Sequence, residues 1–518
     1  MENYQILIVM CLYMALVIGI GLFFAKRANE NSENYFLGGR SLGPWIAAMS
    51  AEASDMSGWL LMGLPGVAYF YGLSDAIWTA IGLLIGTYIN WLIVAKRLHA
   101  YSIIAGDSIT IPDFFSNRFK ENKKIIMAIA ALFIMVFFTV YASSCFVSVG
   151  RLFSTLFGIK YQYMMIAGAI FVILYTFLGG FLAESTSDFM QALVMIAALV
   201  GVLVTAVLST GGFGVVLDNL NQIPGFLEFF GISSPTMVEG VQQISESGAP
   251  LFGEAGAYGF LTILSTLSWG LGYFGMPQVL LRFMAIRSHK EIKKSRRIAT
   301  IWCAISLCAA VFIGLIGRSA FPTAHLNSVD AEKIFITMST HYLPTVLAGL
   351  AMAGILAATI SSSDSYLLIA SSAVSKNIYQ GLFHKKATDR QVMRMSRIVL
   401  LAITLIGIII ALDENSVIFT VVAFAWAGFG ATFGPIMLFS LFWKRTTRAG
   451  AIGGMLAGGI TVFIWKMIIR PMGGILGIYE LLPAFIVSCI VIVIVSLCTK
   501  EPGQEMLAEF EQAKAYRD

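Results

Sequence analysis

Thirteen apolar runs, most of them about 20 residues long, occupy most of this 518-residue sequence. A helix of about 20 apolar residues crosses a bilayer, whereas the strands of a membrane barrel are about 10 residues long and alternate in character. Only 12% of the residues are charged, about half the share in a soluble domain. The sequence therefore predicts an all-α polytopic membrane protein. The runs extend approximately over 5–25, 42–71, 75–95, 124–150, 161–183, 187–209, 255–284, 298–318, 341–376, 398–412, 415–443, 450–470 and 475–498.

The basic residues are unevenly distributed among the connections and run ends. If the N-terminus lies outside, 28 of the 34 Lys and Arg residues fall on the inner side and 6 on the outer side. Because inner loops are enriched in Lys and Arg, this bias predicts an outer N-terminus and a cytoplasmic C-terminus. The inner clusters at 120–124, 287–297 and 385–397 are then topology determinants beside anionic lipid, and no nucleic-acid partner is predicted.

Polar and helix-breaking residues interrupt the second run. From Ser50 to Gly66 it reads SAEASDMSGWLLMGLPG, with Glu52 and Asp55 in its first half. Backbone that leaves the helical hydrogen-bond pattern at membrane depth must be surrounded by protein or by a water-filled cavity. Ionisable side chains at that depth indicate functional sites. We predict a broken helix whose free carbonyls and hydroxyls coordinate a small cation.

A second interruption lies in the run 255–284, where Ser268 to Pro277 reads SWGLGYFGMP. In the predicted topology the two interrupted runs cross the membrane in opposite directions. Paired breaks of this kind indicate inverted repeats with a binding site at the midplane. We expect one transmembrane domain over 1–500 and a short tail over 501–518. The domain would comprise a peripheral first helix, five-helix repeats over 42–209 and 255–443, and two added helices over 450–498.

The ninth run contains SSSDS from Ser361 to Ser365. Ser361 and Ser365 lie on one helix face because they are four residues apart. An isolated serine in a membrane helix usually bonds to the preceding turn or to a neighbouring helix. This cluster of hydroxyls with Asp364 also offers the oxygen ligands that hard cations prefer. The break in the second run and these hydroxyls together predict a site for an ion such as sodium.

Three stretches give the sequence a resemblance to the sodium/solute symporter family, in particular its proline-transporting branch. They are YFLGGRSLGP from Tyr35, ASDMSGWLLMGLPG from Ala53, and WAGFGATFGPIMLFSLFWKRTTRAGAIGGMLAG from Trp426. The resemblance implies a secondary active transporter of the bacterial cytoplasmic membrane. It would couple inward sodium flow to uptake of L-proline, with no obligatory protein partner. An enzyme is not expected, because all five histidines lie near run ends or in loops.

The resemblance also implies roles for individual residues. Main-chain oxygens and hydroxyls would bind sodium, and an essential acid, Asp55, would lie beside them. Helix packing is the alternative for the serines, and a capping carboxylate is an alternative for Asp55. Asp188 would be a further functional acid and Arg40 an inner-gate residue, although an N-cap and a positive-inside anchor would look the same. The implied sodium ligands are Ala53, Met56, Ser361 and Ser362.

Proline is a zwitterion with an apolar ring. Its carboxylate suits free N–H groups at a broken helix, and its ring and ammonium suit aromatic faces. Aromatic side chains in membrane spans also serve as packing, which is the alternative role. The candidate substrate-binding residues are Ser57, Gly58, Trp59, Tyr141, Trp269, Tyr273 and Pro277. For the last four, the resemblance itself implies proline binding.

Glu52 and Asp364 depart from the family pattern. Glu52 stands where the family usually has glycine, and Asp364 replaces a small or hydroxyl residue. Tyr366 replaces a glutamine of the proline-transporting branch. The two acids could add a proton-titrating step, a second cation or a different substrate. The alternative function is therefore sodium- or proton-coupled symport of another amino acid, a carboxylate, pantothenate or a sugar.

Overall fold

The computed structural model describes residues 2–28 and 30–516, which form a mostly helical bundle. Its α-helices are α1 Glu2–Ala28, α2 Ser32–Leu37, α3 Pro44–Gly58, α4 Leu64–Tyr71, α5 Leu73–Ile89, α6 Ala95–Ile104, α7 Ile111–Arg118, α8 Ile125–Phe157, α9 Tyr161–Ser209, α10 Phe213–Leu220, α11 Phe260–Leu267, α12 Pro277–Ala285, α13 Ile292–Ala320, α14 Ser328–Ala331, α15 Ile334–Tyr342, α16 Thr345–Ser372, α17 Asp389–Ala411, α18 Ile418–Phe442, α19 Arg448–Ile464, α20 Leu481–Cys498 and α21 Gln504–Ala515. Turns of π-helix occupy Trp59–Gly63, Asn90–Val94, Ala373–Phe383 and Trp465–Ile469. Turns of 3₁₀-helix occupy Gly38–Arg40, Ser268–Gly275, His289–Glu291, Arg470–Met472 and Gly474–Gly477.

Ten helices of the described residues are long and apolar enough to cross a membrane. They cover all the predicted runs except 42–71, 161–183 and 255–284. In the run 161–183, a 17-residue apolar segment, Tyr161–Phe177, is followed by Gly180 with non-helical φ 55° and ψ −164°. The structure otherwise continues α9 to Ser209, so that the predicted runs 161–183 and 187–209 follow each other without a separating loop.

Both predicted breaks are present in the structure. In the second run, Ser57 leaves the helical conformation at φ 44° and ψ −169°, and the π-turn Trp59–Gly63 follows. Gly58 is tightly packed here, since a Cβ at this position would lie 2.3 Å from the Ser148 hydroxyl of α8. In the run 255–284, α11 tightens into the 3₁₀-turn Ser268–Gly275, and Pro277 then begins α12. Proline suits the first helical position because its missing N–H would be unpaired there anyway.

The helices differ in how much protein surrounds them. Among the residues in the apolar part of each span, 83% are buried in α18 and 78% in the segment that begins with α16. The corresponding value is 28% for α1, α17 and the segment that begins with α19. The outer helices expose leucine and isoleucine on their outward faces, whereas α16 and α18 lie in the centre beside the broken segments.

The segment between α9 and α11 contains strands that the sequence did not predict. After α10, strand β1 Gly231–Ile232 pairs with β4 Gly256–Ala257, and β2 Met237–Val238 pairs with β3 Val241–Gln242, both antiparallel. Hydrogen bonds fix this segment on the start of α5: Trp78 Nε1–H donates to the Phe229 carbonyl at 2.8 Å, and the Tyr258 hydroxyl donates to Asp75 at 2.7 Å. It therefore covers one end of the bundle.

The C-terminal tail forms the helix α21, Gln504–Ala515. Lys120, after α7, pairs with Glu505 at 3.2 Å and with Glu509. The Phe510 ring lies edge-on to Tyr101 of α6, with the ring centroids 6.3 Å apart. These contacts attach the tail to the end of the bundle opposite to the β1–β4 segment.

Candidate cation and substrate site

Oxygen atoms of α3 and α16 meet where α3 breaks. The Ser361 hydroxyl donates to the Ala53 carbonyl at 2.8 Å, and the Ser362 hydroxyl donates to the same oxygen at 3.3 Å. Carbonyls in the last turn of a helix lack their usual donor four residues further on, which leaves Ala53 available. Three of the four predicted sodium ligands thus lie together. The fourth, the Met56 carbonyl, accepts from the Trp59 N–H and retains a second lone pair.

The donor set fits a hard monovalent cation. Ala53, Ser361 and Ser362 each have an exposed fraction of 0%, and they contribute neutral oxygen atoms, which such cations accept as ligands. Ser363 provides a contrast within the same helix, because its hydroxyl donates to the Thr359 carbonyl of its own helix at 2.6 Å. The arrangement at Ala53 is therefore specific to two of the four serines.

Asp55 lies beside this cluster and is 3% exposed. Its carboxylate oxygen Oδ1 accepts from the Gln278 side-chain amide at 3.2 Å. Its main-chain carbonyl accepts from the hydroxyls of Tyr141 at 3.1 Å and Tyr366 at 3.4 Å. Among the salt bridges of the described residues none involves Asp55. The break thus holds a buried carboxyl with hydrogen-bond donors but without a side-chain cation.

Aromatic rings from both broken segments pack against each other. The Trp59 and Trp269 centroids lie 5.5 Å apart, and Phe419 of α18 lies 5.7 Å from Trp59 and 5.3 Å from Trp269. Trp426 fixes the second break, because its indole N–H donates to the Trp269 carbonyl at 2.8 Å and its ring lies edge-on to Tyr273 at 5.0 Å. The structure therefore places Trp59 against Trp269, and Trp426 links Tyr273 to them.

The remaining predicted substrate residues have local roles in this structure. The Ser57 hydroxyl accepts from the Trp59 N–H at 3.2 Å, Gly58 packs on α8, and Pro277 begins α12. The Tyr141 ring lies 4.3 Å from Tyr366. These residues surround the break in α3 on the side of α8, α12 and α16.

A buried ionic cluster lies one turn away, and sequence reasoning missed its central residue. The Arg282 guanidinium of α12 is fully buried and pairs with Glu184, with Asp188 at 3.1 Å and with the Ser365 hydroxyl at 2.9 Å. Its Nε–H donates to the Ser50 hydroxyl at 2.9 Å, and that hydroxyl donates to Asp188 at 2.7 Å. The cluster connects α3, α9, α12 and α16.

Asp188 is therefore not a helix cap. It lies within α9, eight residues beyond the irregular Gly180, and its partner is an arginine. The N-cap alternative for this residue is wrong. The signal that could have found Arg282 is its position inside the apolar run 255–284, because an ionisable residue within a membrane span is a functional candidate by default.

The two acids that depart from the family pattern are only partly satisfied. Glu52 Oε1 accepts from the Trp91 indole at 3.4 Å, while Oε2 has no partner among the described residues. Asp364 Oδ1 accepts from the Ser365 N–H at 2.8 Å, and Oδ2 likewise has no described partner. Neither carboxyl binds the Ala53 cluster through a hydrogen bond. Both are buried, with an exposed fraction of 1%.

Arg40 lies at the end of the bundle that carries α21. It pairs with Asp107 at 2.9 Å, and it donates to the Met284 carbonyl at 2.7 Å and to the Ser108 carbonyl at 2.8 Å. A lipid-facing anchor would leave the guanidinium free for headgroups. Here it joins the segment before α3 to the end of α12 and to the connection between α6 and α7.

Glu332 makes the corresponding connection at the opposite end, and sequence reasoning missed it too. Its carboxylate pairs with Arg151 of α8 and accepts from the N–H groups of Ile418 at 3.0 Å and Phe419 at 2.9 Å. Glu332 thereby caps the first turn of α18, the position that a negative charge stabilises. The capped residue Phe419 is the ring that lies on Trp59 and Trp269.

The bundle, the two broken segments and the buried oxygen cluster define a membrane transporter with discontinuous helices. The chain belongs to the sodium:solute symporter family, whose model matches residues 35–458. The sodium/proline symporter of Staphylococcus aureus strain USA300 is 42% identical over 508 residues, which cover 97% of this chain and 94% of the relative. The protein of the same description from strain COL has the same identity and coverage.

Two solved structures show the same fold. A Na⁺-coupled sialic acid symporter in a substrate-bound outward-open state superposes with a TM-score of 0.76 at 18% identity. The match covers 97% of this chain and 99% of that one. Mhp1, a nucleobase-cation-symport-1 family transporter, superposes with a TM-score of 0.51 at 11% identity, covering 93% of this chain and 100% of its own. Membership in this family makes sodium the coupling ion.

Proposed function

We propose that this protein takes up L-proline together with sodium across the bacterial cytoplasmic membrane by alternating access. The observation that carries the proposal is the convergence of the Ser361 and Ser362 hydroxyls on the Ala53 carbonyl where α3 breaks. The proline specificity is supported by the full-length similarity to sodium/proline symporters at 42% identity. The protein acts as a transporter and not as an enzyme.

The topology that goes with this function has thirteen spans. Ten are the long apolar helices, and three more are the apolar part of α9 up to Phe177 and the two interrupted segments. We propose the five-helix repeats 42–209 and 255–443 within a domain over 1–500, with the peripheral first helix, the added helices 450–498 and the tail 501–518. The distribution of Lys and Arg supports an outer N-terminus and a cytoplasmic C-terminus.

Sodium would bind first, between α3 and α16, with Ala53, Met56, Ser361 and Ser362 as ligands. Sodium binding would stabilise the break, because the carbonyl oxygens of Ala53 and Met56 are free to bind an ion only where the helix is interrupted. Asp55, one position before Met56, would be stabilised in its ionised form once sodium is bound beside it, and it would then contribute negative potential without entering the ligand set. A ligand that binds one conformation better shifts the population toward that conformation. If sodium binding raises the affinity for proline by a given factor, proline binding raises the affinity for sodium by the same factor.

The proline site would adjoin the sodium site through Ser57 and Gly58. The substrate carboxylate suits the free N–H groups at the break. Its ring and ammonium suit the faces of Trp59 and Trp269, since an aromatic face attracts both apolar groups and cations. Tyr141, Tyr273 and Pro277 would form the remaining wall. The rings now contact each other, so binding requires that they separate.

Two charged connections would close the two ends of the pathway. Arg40 closes the cytoplasmic end through Asp107 and the Met284 carbonyl. Glu332 closes the outer end through Arg151 and the start of α18. Asp188, with Arg282, would transmit the state of α3 to α9, because both contact Ser50.

We expect Glu332→Gln to lower the initial rate of proline uptake about tenfold or more. The substitution keeps the size of the side chain but leaves the Arg151 guanidinium buried without its counter-charge. This loss destabilises the closed conformation by several kcal/mol. Uptake into proteoliposomes with matched amounts of protein measures the effect. Asp330→Asn is the control, because Asp330 pairs with Lys333 near the surface, where ion pairs contribute little. Equal rates for the two variants would contradict an outer closing role.

The alternative is coupling to protons or transport of another small solute. The orphan oxygens of Glu52 and Asp364 favour it, because a buried carboxyl without a cation is most readily accommodated with a proton. If a proton is coupled through Glu52, uptake driven by a proton gradient alone disappears in Glu52→Gln. Proton-driven uptake that persists in Glu52→Gln would exclude Glu52 as the coupling group and leave Asp364 as the candidate. An absence of proton-driven uptake in the wild type would contradict proton coupling.

The test of the proposed function is uptake of radiolabelled L-proline into proteoliposomes under a sodium gradient, compared with potassium and proton gradients. Accumulation that requires sodium and is lost in Asp55→Ala supports the function. Proline uptake that does not depend on sodium contradicts the coupling. Sodium-dependent currents without proline uptake contradict the substrate and lead to a screen of the other solutes.

A further inference from the structure

A cavity of about 580 Å³ lies between the end of α13 and the β1–β4 segment that covers the bundle. This volume is many times the roughly 30 Å³ that a water molecule occupies in the liquid. Its wall includes Asn219 of α10, Ser319 of α13 and Phe252 of the β1–β4 segment. Among the described residues that line it, only Arg318 carries a charge. The cavity is therefore a space with a single positive charge in its wall.

The guanidinium of Arg318 is only partly hydrogen-bonded. Arg318 is 1% exposed, and its Nη2–H donates to Gln242 Oε1 at 2.7 Å. Its Nε and Nη1 atoms have no hydrogen-bond partner among the described residues. A guanidinium has five N–H donors, of which Nε and Nη1 carry three. Because buried polar groups are nearly always hydrogen-bonded, these three N–H groups require an acceptor.

The charge of Arg318 is not balanced by an acidic side chain. Among the salt bridges of the described residues none involves Arg318. The segment 211–254 contains five acids, but all five are exposed and none lines the cavity. The rings of Tyr69 and Phe252 lie 5.0 Å and 4.9 Å from Arg318 Cζ, and such rings attract a cation without supplying an anion. A buried charge is costly unless it is paired, so the site favours an anion from solution.

The polar groups at the rim of the cavity indicate the charge and size of this anion. The Asn219 side-chain amide donates to the Ser319 hydroxyl at 3.0 Å. A hydroxyl that accepts one hydrogen bond still has its own O–H to donate, so Ser319 adds a neutral donor beside Arg318. One guanidinium balances one negative charge. A small monovalent anion that accepts several N–H and O–H bonds, such as chloride, therefore fits this wall.

The cavity lies where three parts of the fold meet. Arg318 belongs to α13, Tyr69 to α4, and Phe252 to the β1–β4 segment. The two helices are in direct contact, since a Cβ at Gly314, one turn before Arg318, would lie 2.3 Å from the Pro65 carbonyl of α4. The helix α4 is the second half of the broken run. An anion at Arg318 would thus fix the β1–β4 segment against the broken helix.

We propose that Arg318 and the wall of this cavity bind a chloride ion. The anion accepts from the N–H groups on Nε and Nη1 of Arg318, with the Ser319 hydroxyl as a further donor at the rim. Charge-assisted hydrogen bonds of this kind are stronger than neutral ones. The site is separate from the sodium and proline sites, and it does not depend on which solute the protein transports.

The test is the line width of the chloride NMR signal for the purified full-length protein in lipid nanodiscs with sodium chloride. Exchange with a bound ion broadens the line of the free ion. We expect Arg318→Gln to lose most of the broadening that the wild type causes. Asn219→Asp should lose it too, because a carboxylate in the cavity wall repels chloride. Asn219 is exposed, so this variant decides the question if Arg318→Gln does not fold.

Two matched variants control for charge changes elsewhere on the surface. Arg287→Gln removes an exposed arginine that pairs with Glu291. Asn415→Asp adds a carboxylate at an exposed position between α17 and α18. Neither residue lines the cavity. Both variants should broaden the chloride line as much as the wild type.

Thermal unfolding provides a second measurement. A ligand that binds only the folded protein stabilises it. Replacing sodium gluconate by sodium chloride at constant sodium should therefore raise the unfolding midpoint of the wild type by about 2 °C. The rise should saturate with increasing chloride and should be absent in Arg318→Gln and Asn219→Asp.

Two results would overturn the chloride site. If the wild type and both cavity variants respond equally to chloride, the ion acts on the whole surface and not at Arg318. If the wild type shows neither broadening nor a saturable shift, water and the two rings suffice for the guanidinium. Both results leave the proposed function intact, since sodium-dependent proline uptake is measured separately.

Discussion

Replacing Arg282 by methionine is expected to abolish proline uptake and to lower the free energy of unfolding by about 3–5 kcal/mol. The guanidinium is fully buried and contacts two carboxylates and two hydroxyls on three other helices. Methionine fills a similar volume but leaves Glu184 and Asp188 as unpaired charges. The loss of stability is measured as the midpoint of thermal unfolding of the protein in detergent.

A compensated variant distinguishes charge from packing. In the triple variant Arg282→Met, Glu184→Gln, Asp188→Asn the buried charges are removed together, and replacing a complete buried ion cluster by neutral groups is often close to neutral for stability. We expect the unfolding midpoint to recover while uptake stays absent. Recovery of uptake would contradict the role of this cluster in transport. An Arg282→Met protein with wild-type stability would contradict its structural role.

The double substitution Ser361→Ala, Ser362→Ala is expected to raise the sodium concentration for half-maximal uptake about 100-fold. Each hydroxyl is taken to contribute about 1.4 kcal/mol to ion binding, which corresponds to a factor of ten. The single variants should each show about a tenfold increase. The measurement is the initial rate of proline uptake as a function of external sodium at constant ionic strength.

Ser363→Ala is the matched control for this prediction. Ser363 lies on the same helix and is equally buried, but its hydroxyl donates to the Thr359 carbonyl of its own helix. Its removal should leave the sodium dependence within a factor of two to three. If Ser363→Ala and Ser362→Ala shift the sodium dependence equally, the cation does not bind at the Ala53 carbonyl.

The positions that could be predicted from the sequence are those where one residue type contradicts its surroundings. Glycine, proline and polar residues inside apolar runs indicated both breaks, and the structure has them at Ser57 and at Ser268–Gly275. The hydroxyls of Ser361 and Ser362 gave the other half of the candidate cation site for the same reason. In a membrane, each such residue requires partners or a polar environment, so a single residue is enough to indicate a break or a binding site.

Pairs that are distant in the chain could not be predicted in this way. Arg282 and Glu184 are 98 positions apart, and Arg151 and Glu332 are 181 positions apart, and nothing in the sequence connects either pair. The strands β1 to β4 have two residues each, too few to show an alternating pattern. The sequence predicts separate runs at 161–183 and 187–209 because charged residues such as Glu184 and Asp188 are typical of a loop. In the structure Arg282 pairs with both residues, and α9 continues through them.

The backbone of Ser57 has an energetically unfavourable conformation. Its dihedral angles, φ 44° and ψ −169°, lie in a region that residues other than glycine occupy at a cost of about 1–3 kcal/mol. A ligand at 100 times its dissociation constant stabilises the form that binds it by about 2.7 kcal/mol, which is of the same size. If sodium binds at Ala53, external sodium therefore balances the distortion, and its release into a sodium-poor interior removes that support. The distorted segment would then relax after sodium leaves, and this relaxation would favour the return of the protein to the state that binds the next ion.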